Sequence, residues 1–226
     1  MRALVLFSGG VDSTTCLALA VEKYGKENVT ALSVSYGQKH VKEIEASKKI
    51  AEYYEVEHLY LDLGEIFEYS DCSLLSHSER EIPEESYAEQ IEKSGGKPVS
   101  TYVPFRNGLF LSSAASIALS RNCSVIYYGA HSDDAAGSAY PDCSEAFNRA
   151  MGEAIYLGSG KQVAIEAPFV NVSKAQIVKT GLALKVPYEL TWSCYEGAEH
   201  PCGVCGTCLD RARAFEENGI SDPAGI

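Results

Sequence analysis

The feature that most narrows the fold is an alternation that begins at the second residue. A short apolar run, Arg2 to Phe7, is broken by Ser8-Gly9-Gly10 and followed by Val11 to Tyr24, where Val11, Cys16, Leu17, Ala20 and Val21 recur at helical spacing. The same switch repeats as strand Val29–Ser35, helix Val41–Tyr54 and strand Val56–Leu61. Helical crossovers of that length allow neighbouring strands to pair in parallel, and apolar strand runs want cover on both faces. The expectation is an α/β fold, a parallel sheet with helices on both faces.

At 226 residues the chain has room for one such domain or a compact domain with a small appendage. Later elements read as helix Leu109–Leu119, strand Val125–Ala130, helix Ser144–Tyr156, strand Val163–Glu166, helix Lys174–Ala183 and a last helix Thr207–Glu217. Ser173 and Gln176 have the spacing of a capping box. Between Cys72 and Tyr102 periodicity lapses for too long to be an ordinary connection, which predicts a lid or a mobile insertion. Residues 1–190 are expected to form one α/β domain and 191–226 a small C-terminal segment.

Composition excludes some classes. Hydrophobic residues at 46% and charged residues at 22% are those of a globular protein with a real core. The net charge of −12 argues against sequence-tolerant binding of nucleic acid, which relies on Lys and Arg displacing counterions. No apolar run has the ~20 residues of a membrane span, and the apolar start is too short for a secretion signal, so a cytoplasmic location is expected.

Ser8-Gly9-Gly10-Val11-Asp12-Ser13-Thr14 sits where a buried strand becomes a helix. Glycines let the backbone approach an anion closely, and successive N–H groups at a helix N-terminus attract negative charge. Ser8, Ser13 and Thr14 add hydroxyl groups, and Asp12 can hold Mg²⁺ on bound phosphates. The loop has neither the Lys of a Walker A loop nor the spacing of a dinucleotide turn.

Cys194, Cys202, Cys205 and Cys208 place four thiols within a short segment. C-x-x-C spacing around Gly203 and Gly206 suits a closed tetrahedral zinc site, one ion per chain with a structural role. An iron–sulfur cluster and a redox pair are the alternatives, and His200 is a possible substitute ligand. Cys16, Cys72, Cys123 and Cys143 read as small buried residues.

Ser-Gly-Gly-x-Asp-Ser after the first strand resembles the loop of the PP-loop ATP pyrophosphatases. Taken with Tyr36-Gly37-Gln38-Lys39-His40, Tyr102-Val103-Pro104-Phe105-Arg106-Asn107, Tyr140-Pro141-Asp142-Cys143 and the four cysteines, the chain resembles the 7-cyano-7-deazaguanine synthases over nearly its whole length. The segment His131–Ser138 departs from the pattern of bacterial members. The resemblance implies a Rossmann-like sheet, a homodimer, and an ATP site spanning Phe7, Ser8, Gly9, Gly10, Val11, Asp12, Ser13, Thr14, Thr15, Cys16 and Leu17.

It further implies that ATP activates 7-carboxy-7-deazaguanine as an adenylate, ammonia displaces AMP to give the amide, and a second adenylation of the amide yields the nitrile. Asp12, Ser13 and Arg106 are the candidate catalytic residues. Gln38, His40, Arg106, Asn107 and Asp142 are candidate substrate contacts, with Arg106 on the α-phosphate or the substrate carboxylate and Asp142 on the guanine-like N–H edge. Each has a plainer reading: a flanking surface Arg, an N-cap at Asn107, a turn or cap at Asp142, a cap or solvated side chain at His40. Two other functions stay open, a PP-loop enzyme that thiolates tRNA and a zinc module that binds ATP without chemistry.

Overall fold

The computed structural model describes residues 1–39, 41–95, 97–136 and 139–225. Five parallel strands make one sheet in the order β3-β2-β1-β4-β5: β1 (Ala3–Leu6), β2 (Val29–Ser35), β3 (Glu57–Asp62), β4 (Val125–Tyr127) and β5 (Ala164–Glu166). The central strand pairs Ala3 with Val29 on one side and with Val125 on the other.

Strand β1 shows why an unbroken apolar run was needed. Ala3, Val5 and Phe7 join a core with Leu17, Ile50, Ile177 and Phe215, while Leu4 and Leu6 join a second core with Leu111, Ala114 and Val163. The first core lies under α1 (Val11–Tyr24), α2 (Lys42–Tyr54), α7 (Lys174–Ala183) and α8 (Gly206–Glu216). The second lies under α3 (Tyr87–Ser94), α4 (Arg106–Ser120) and α6 (Glu145–Gly158), with the one-turn α5 (Ser132–Ala135) at the sheet's end. Helices therefore cover both faces, as the alternation required.

Several boundaries differ from the sequence expectation. Strand β4 ends at Tyr127 rather than Ala130, and α4 starts three residues before Leu109. The early start of α4 has a local cause. Phe105 adopts a left-handed conformation with φ 55° and donates its N–H to the Tyr102 hydroxyl, while the Asn107 N–H is taken by Asp142 Oδ2 at 2.9 Å. These partners satisfy first-turn donors that would otherwise be orphaned. Asn107 therefore lies inside the helix and is not its N-cap. The Ser173–Gln176 capping box forms as expected.

The segment 72–102 is more ordered than its lapse in periodicity suggested. It contains α3, whose Ser86–Glu89 capping box satisfies both partners. Leu74, Leu75 and Ile82 are buried in a third core with Tyr36, Val103 and three of the clustered cysteines. Lys39 N–H bonds the Leu74 carbonyl, tying the segment to the chain that leaves β2.

Arg211 anchors the C-terminal part. Its fully buried guanidinium makes a paired contact with Asp222, at 2.7 and 2.9 Å, and donates to Thr191, Ser193 and the Tyr188 carbonyl. The stretch it holds passes the first turn of the molecule, where Trp192 N–H bonds the Gly9 carbonyl at 3.0 Å.

Candidate active site

Connections leave β1 toward β2 on one side and reach β4 on the other, so a crevice opens beyond the carboxyl ends of β1 and β4, the usual ligand position in such sheets. A cleft of about 1220 Å³, open mouth included, occupies it. Its floor and walls fall into two ends of different chemistry.

The first end is the glycine loop. Gly9 has φ +88°, and a Cβ there would stand 2.7 Å from Ser47 N and 2.9 Å from the Glu43 carbonyl, so only glycine lets the loop lie against α2. Ser8 N–H donates to Ser13 Oγ at 3.2 Å, and Gly10 N–H to Ser8 Oγ at 3.3 Å. Of the residues expected at the nucleotide, Phe7, Ser8, Gly10, Asp12 and Ser13 line the cleft. Gly9 supports them from behind. Val11, Cys16 and Leu17 point into the core, and Thr14 and Thr15 return their hydroxyls to the carbonyls of Gly10 and Val11. Gly129 closes the other flank, where a Cβ would meet the backbone of Asp12 and Ser13 at 3.3 Å.

Sequence reasoning missed a cationic partner here. Lys174, buried in the first turn of α7, puts Nζ 3.2 Å from Asp12 Oδ2. Asp133 Oδ2 accepts the Lys174 backbone N–H at 2.8 Å and so fixes the start of that helix. The fully buried His131 lies between Asp12, at 3.8 Å, and Asp134, at 3.3 Å. Burial alone would raise the Asp12 pKa, but the charges of Lys174 and His131 outweigh it and hold the carboxyl below its ordinary value. Burial likewise disfavours the Lys174 cation, and the carboxylates of Asp12, Asp134 and Asp210 more than restore it, so its pKa rises. Asp12 keeps one buried oxygen, Oδ1, without a hydrogen-bond partner among the described residues.

The second end is aromatic. The Arg106 guanidinium lies 5.0 Å from the Tyr36 ring centre and 6.0 Å from that of Phe110, both lining the cleft. Asn107 also lines it and donates its side-chain N–H to Cys143 Sγ at 3.3 Å. Gln38 lines it while accepting the Tyr36 N–H at 2.9 Å. His40 falls outside the described residues.

Asp142 has a structural partner of its own. It is 3% exposed, is not among the lining residues, and uses Oδ2 to cap α4 through Asn107 N–H. Burial raises its pKa, partly offset by that bond and by Arg106. Through that bond it positions Asn107, and its other oxygen, Oδ1, is buried without a hydrogen-bond partner among the described residues.

The four cysteines come together. The Sγ atoms of Cys194, Cys202, Cys205 and Cys208 all lie within 4.8 Å of one another. A tetrahedral ion with bonds of about 2.3 Å to sulfur would hold them about 3.8 Å apart. Backbone N–H groups of Glu196 and Cys202 point at Cys194 Sγ, which favours its thiolate, and that of Cys205 points at Cys202 Sγ. This donor set fits a metal ion. His200 is exposed, and the other four cysteines are buried and unpaired.

A family model described as queuosine biosynthesis protein QueC matches residues 2–219. The chain belongs to the QueC family. QueC relatives include the 7-cyano-7-deazaguanine synthase of Archaeoglobus fulgidus, 44% identical and covering 99% of this chain and 89% of the relative. Another is that of Caldicellulosiruptor saccharolyticus, also 44% identical, over 99% and 94%. Among solved structures, NMN synthetase from Francisella tularensis has a TM-score of 0.53 at 18% identity, covering 97% of this chain and 78% of its own. The U34-tRNA thiolase NcsA from Methanococcus maripaludis gives 0.54 at 18%, over 96% and 67%. Those two share the PP-loop fold with this QueC chain. An ATP-using enzyme of the ligase type is thereby established at the family level. Among the described residues no helix is long and apolar enough to cross a membrane.

Proposed function

We propose that the chain converts 7-carboxy-7-deazaguanine, ammonia and ATP into 7-cyano-7-deazaguanine, using one cleft for two activations. The supporting observation is the division of that cleft: an anion cradle with a buried cation, Lys174, at one end, and a lone guanidinium among aromatic rings at the other. In the first half-reaction a carboxylate oxygen attacks the α-phosphorus and pyrophosphate leaves. Ammonia then adds to the carbonyl carbon, and AMP carries the oxygen away. The amide oxygen repeats the attack on a second ATP, releasing pyrophosphate, and loss of AMP and both amide protons forms the C≡N bond.

Catalysis is then mostly charge placement. Ser8, Ser13 and the loop N–H groups hold the β- and γ-phosphates, and Lys174 stays protonated to meet the charge that develops on the departing pyrophosphate. Arg106 holds the substrate carboxylate or the α-phosphate. Asp12 Oδ1 is the donor available to Mg²⁺, which would supply further charge neutralisation on ATP. Zinc is the ion the four thiols would take, as a closed site without an open coordination position. Ammonia comes from solution. The protein works in the cytoplasm as a homodimer and binds no nucleic acid stably.

The test is to incubate the protein with ATP, ammonium and the deazapurine acid, with and without tRNA, and to follow AMP and product mass. Two AMP per nitrile, independent of tRNA, is expected. Ser13→Ala and Lys174→Gln should each lower AMP formation by about 10²–10³ while the circular dichroism spectrum is unchanged. AMP formed only with tRNA, or ATP retained intact, overturns the reading.

A further inference from the structure

The proposed reaction has a third substrate, ammonia, and the glycine loop, Lys174 and Arg106 all serve the other two. Asp134 is a carboxylate of the cleft with no role in holding phosphate. It sits in α5, lines the cleft, and its side chain is 27% exposed. Its place is the seam between the two ends. On the loop side its Oδ2 lies 3.3 Å from Nε2 of His131, whose imidazole is 3.8 Å from Asp12. On the aromatic side its backbone carbonyl accepts the N–H of Tyr140, the ring set edge-on to Tyr87 at 5.6 Å. Its charge reaches both ends. After burial, it is one of the causes that push up the phenols of Tyr87, Tyr128 and Tyr195, all of which line the cleft, and it helps to hold the Lys174 cation. Lys174 is itself committed to Asp12, and among the described residues Asp134 forms an ion pair with neither Lys nor Arg. The fully buried His131 backs the carboxylate from inside and leaves its cleft side open.

We propose that Asp134 binds the ammonium ion that supplies the nitrogen. An acyl adenylate joins the α-phosphorus to a carboxyl oxygen of the heterocyclic acid, so its carbonyl carbon stands where the phosphate end gives way to the aromatic end. That is where Asp134 meets the cleft. At neutral pH dissolved ammonia is mostly ammonium, a compact cation that has N–H donors and no acceptor. A carboxylate holds such an ion by a charge-assisted hydrogen bond, and aromatic faces attract it through their quadrupole. The bound ion passes one proton to water, and the freed lone pair closes the C–N bond. The C–O bond to AMP breaks with its electron pair staying on AMP, and the nitrogen gives a second proton to water. Asp134 raises the local concentration of the nucleophile and sets its direction of approach.

This inference rests on the activity proposed above, and the two can fail separately. Turnover of the deazapurine acid by the unmodified holoenzyme tests that activity alone. Asp134→Asn keeps the shape of the side chain and removes its charge. Expected is a KM for ammonium raised about 10–100-fold, with the KM values for ATP and the acid within about twofold. Hydroxylamine, uncharged at neutral pH, serves as a second nucleophile, and hydroxamate formation by Asp134→Asn should stay within about threefold of wild type. Asp134→Glu restores the charge and should bring the ammonium KM back to within about threefold. Should the amide misfold, Asp134→Ser, also uncharged, carries the same expectations. An unchanged KM for ammonium, equal rises for ammonium and ATP, or equal losses with ammonium and hydroxylamine overturns the proposal.

Discussion

The glycine loop and the neighbours of the cysteine knot, Ser193, Tyr195 and Thr207, face the same cleft from opposite ends of the chain, and loop and knot are built on opposite principles. The loop works through backbone: its side chains are small, its donors are N–H groups, and its shape is set where Gly9 presses on α2. The knot works through side chains, four thiols of one short segment, and that segment is held in a core that joins Cys194, Cys205 and Cys208 to the distant Leu74, Leu75 and Val103. A function carried by backbone survives in a short local pattern. One carried by convergence depends on everything that brings its parts together.

That contrast can be broken by experiment, most severely at the knot. Removing the metal by chelation, or replacing Cys205 by Ser, should cost more stability than any loop change, since structural zinc contributes an apparent ~10–16 kcal/mol in small domains. Melting temperature and metal content report it. A chelated protein that melts within a few degrees of the holoprotein would make the knot a passive bystander. Next is Arg211→Met, which strands the Asp222 carboxylate in the interior and should destabilise by about 3–5 kcal/mol in urea titrations.

The loop should show smaller stability effects and larger catalytic ones. Gly9→Ala demands a left-handed alanine and pushes a methyl into α2, so about 1–3 kcal/mol of stability and a marked rise in KM for ATP are expected together. If the KM for ATP holds while stability falls, the loop's shape matters less than its donors. The smallest effect is electrostatic. Because the folded Asp12 pKa lies below its ordinary 3.8, its ion pair stabilises above that pH and the contribution disappears as pH falls through the lower folded value. The stability difference between wild type and Asp12→Asn, about 1–2 kcal/mol near neutrality, should therefore shrink below about pH 4.

How much could be read in the sequence follows the same division. The β1–loop–α1 unit and the Ser173 cap were legible because each is decided within a few residues. The four cysteines were legible because metal-ligand spacing is itself a local code. Lys174 was not, since nothing in Ser-Lys-Ala-Gln distinguishes a surface lysine from one that pairs with Asp12 on α1. The capping bond of Asp142 was hidden for a related reason: its partner is a backbone N–H on Asn107, and backbone donors leave no mark in the sequence. The short α3 escaped periodicity at eight residues, although its Ser-x-x-Glu cap was there to be found.

The bond from Trp192 N–H to the Gly9 carbonyl joins points about 180 residues apart. A ribosome adding about 5–20 residues per second finishes the first turn some 10–40 s before the segment that closes over it. During translation the anion cradle thus exists without its far wall. A nascent chain, or one cut short before Trp192, lacks that side of the cleft.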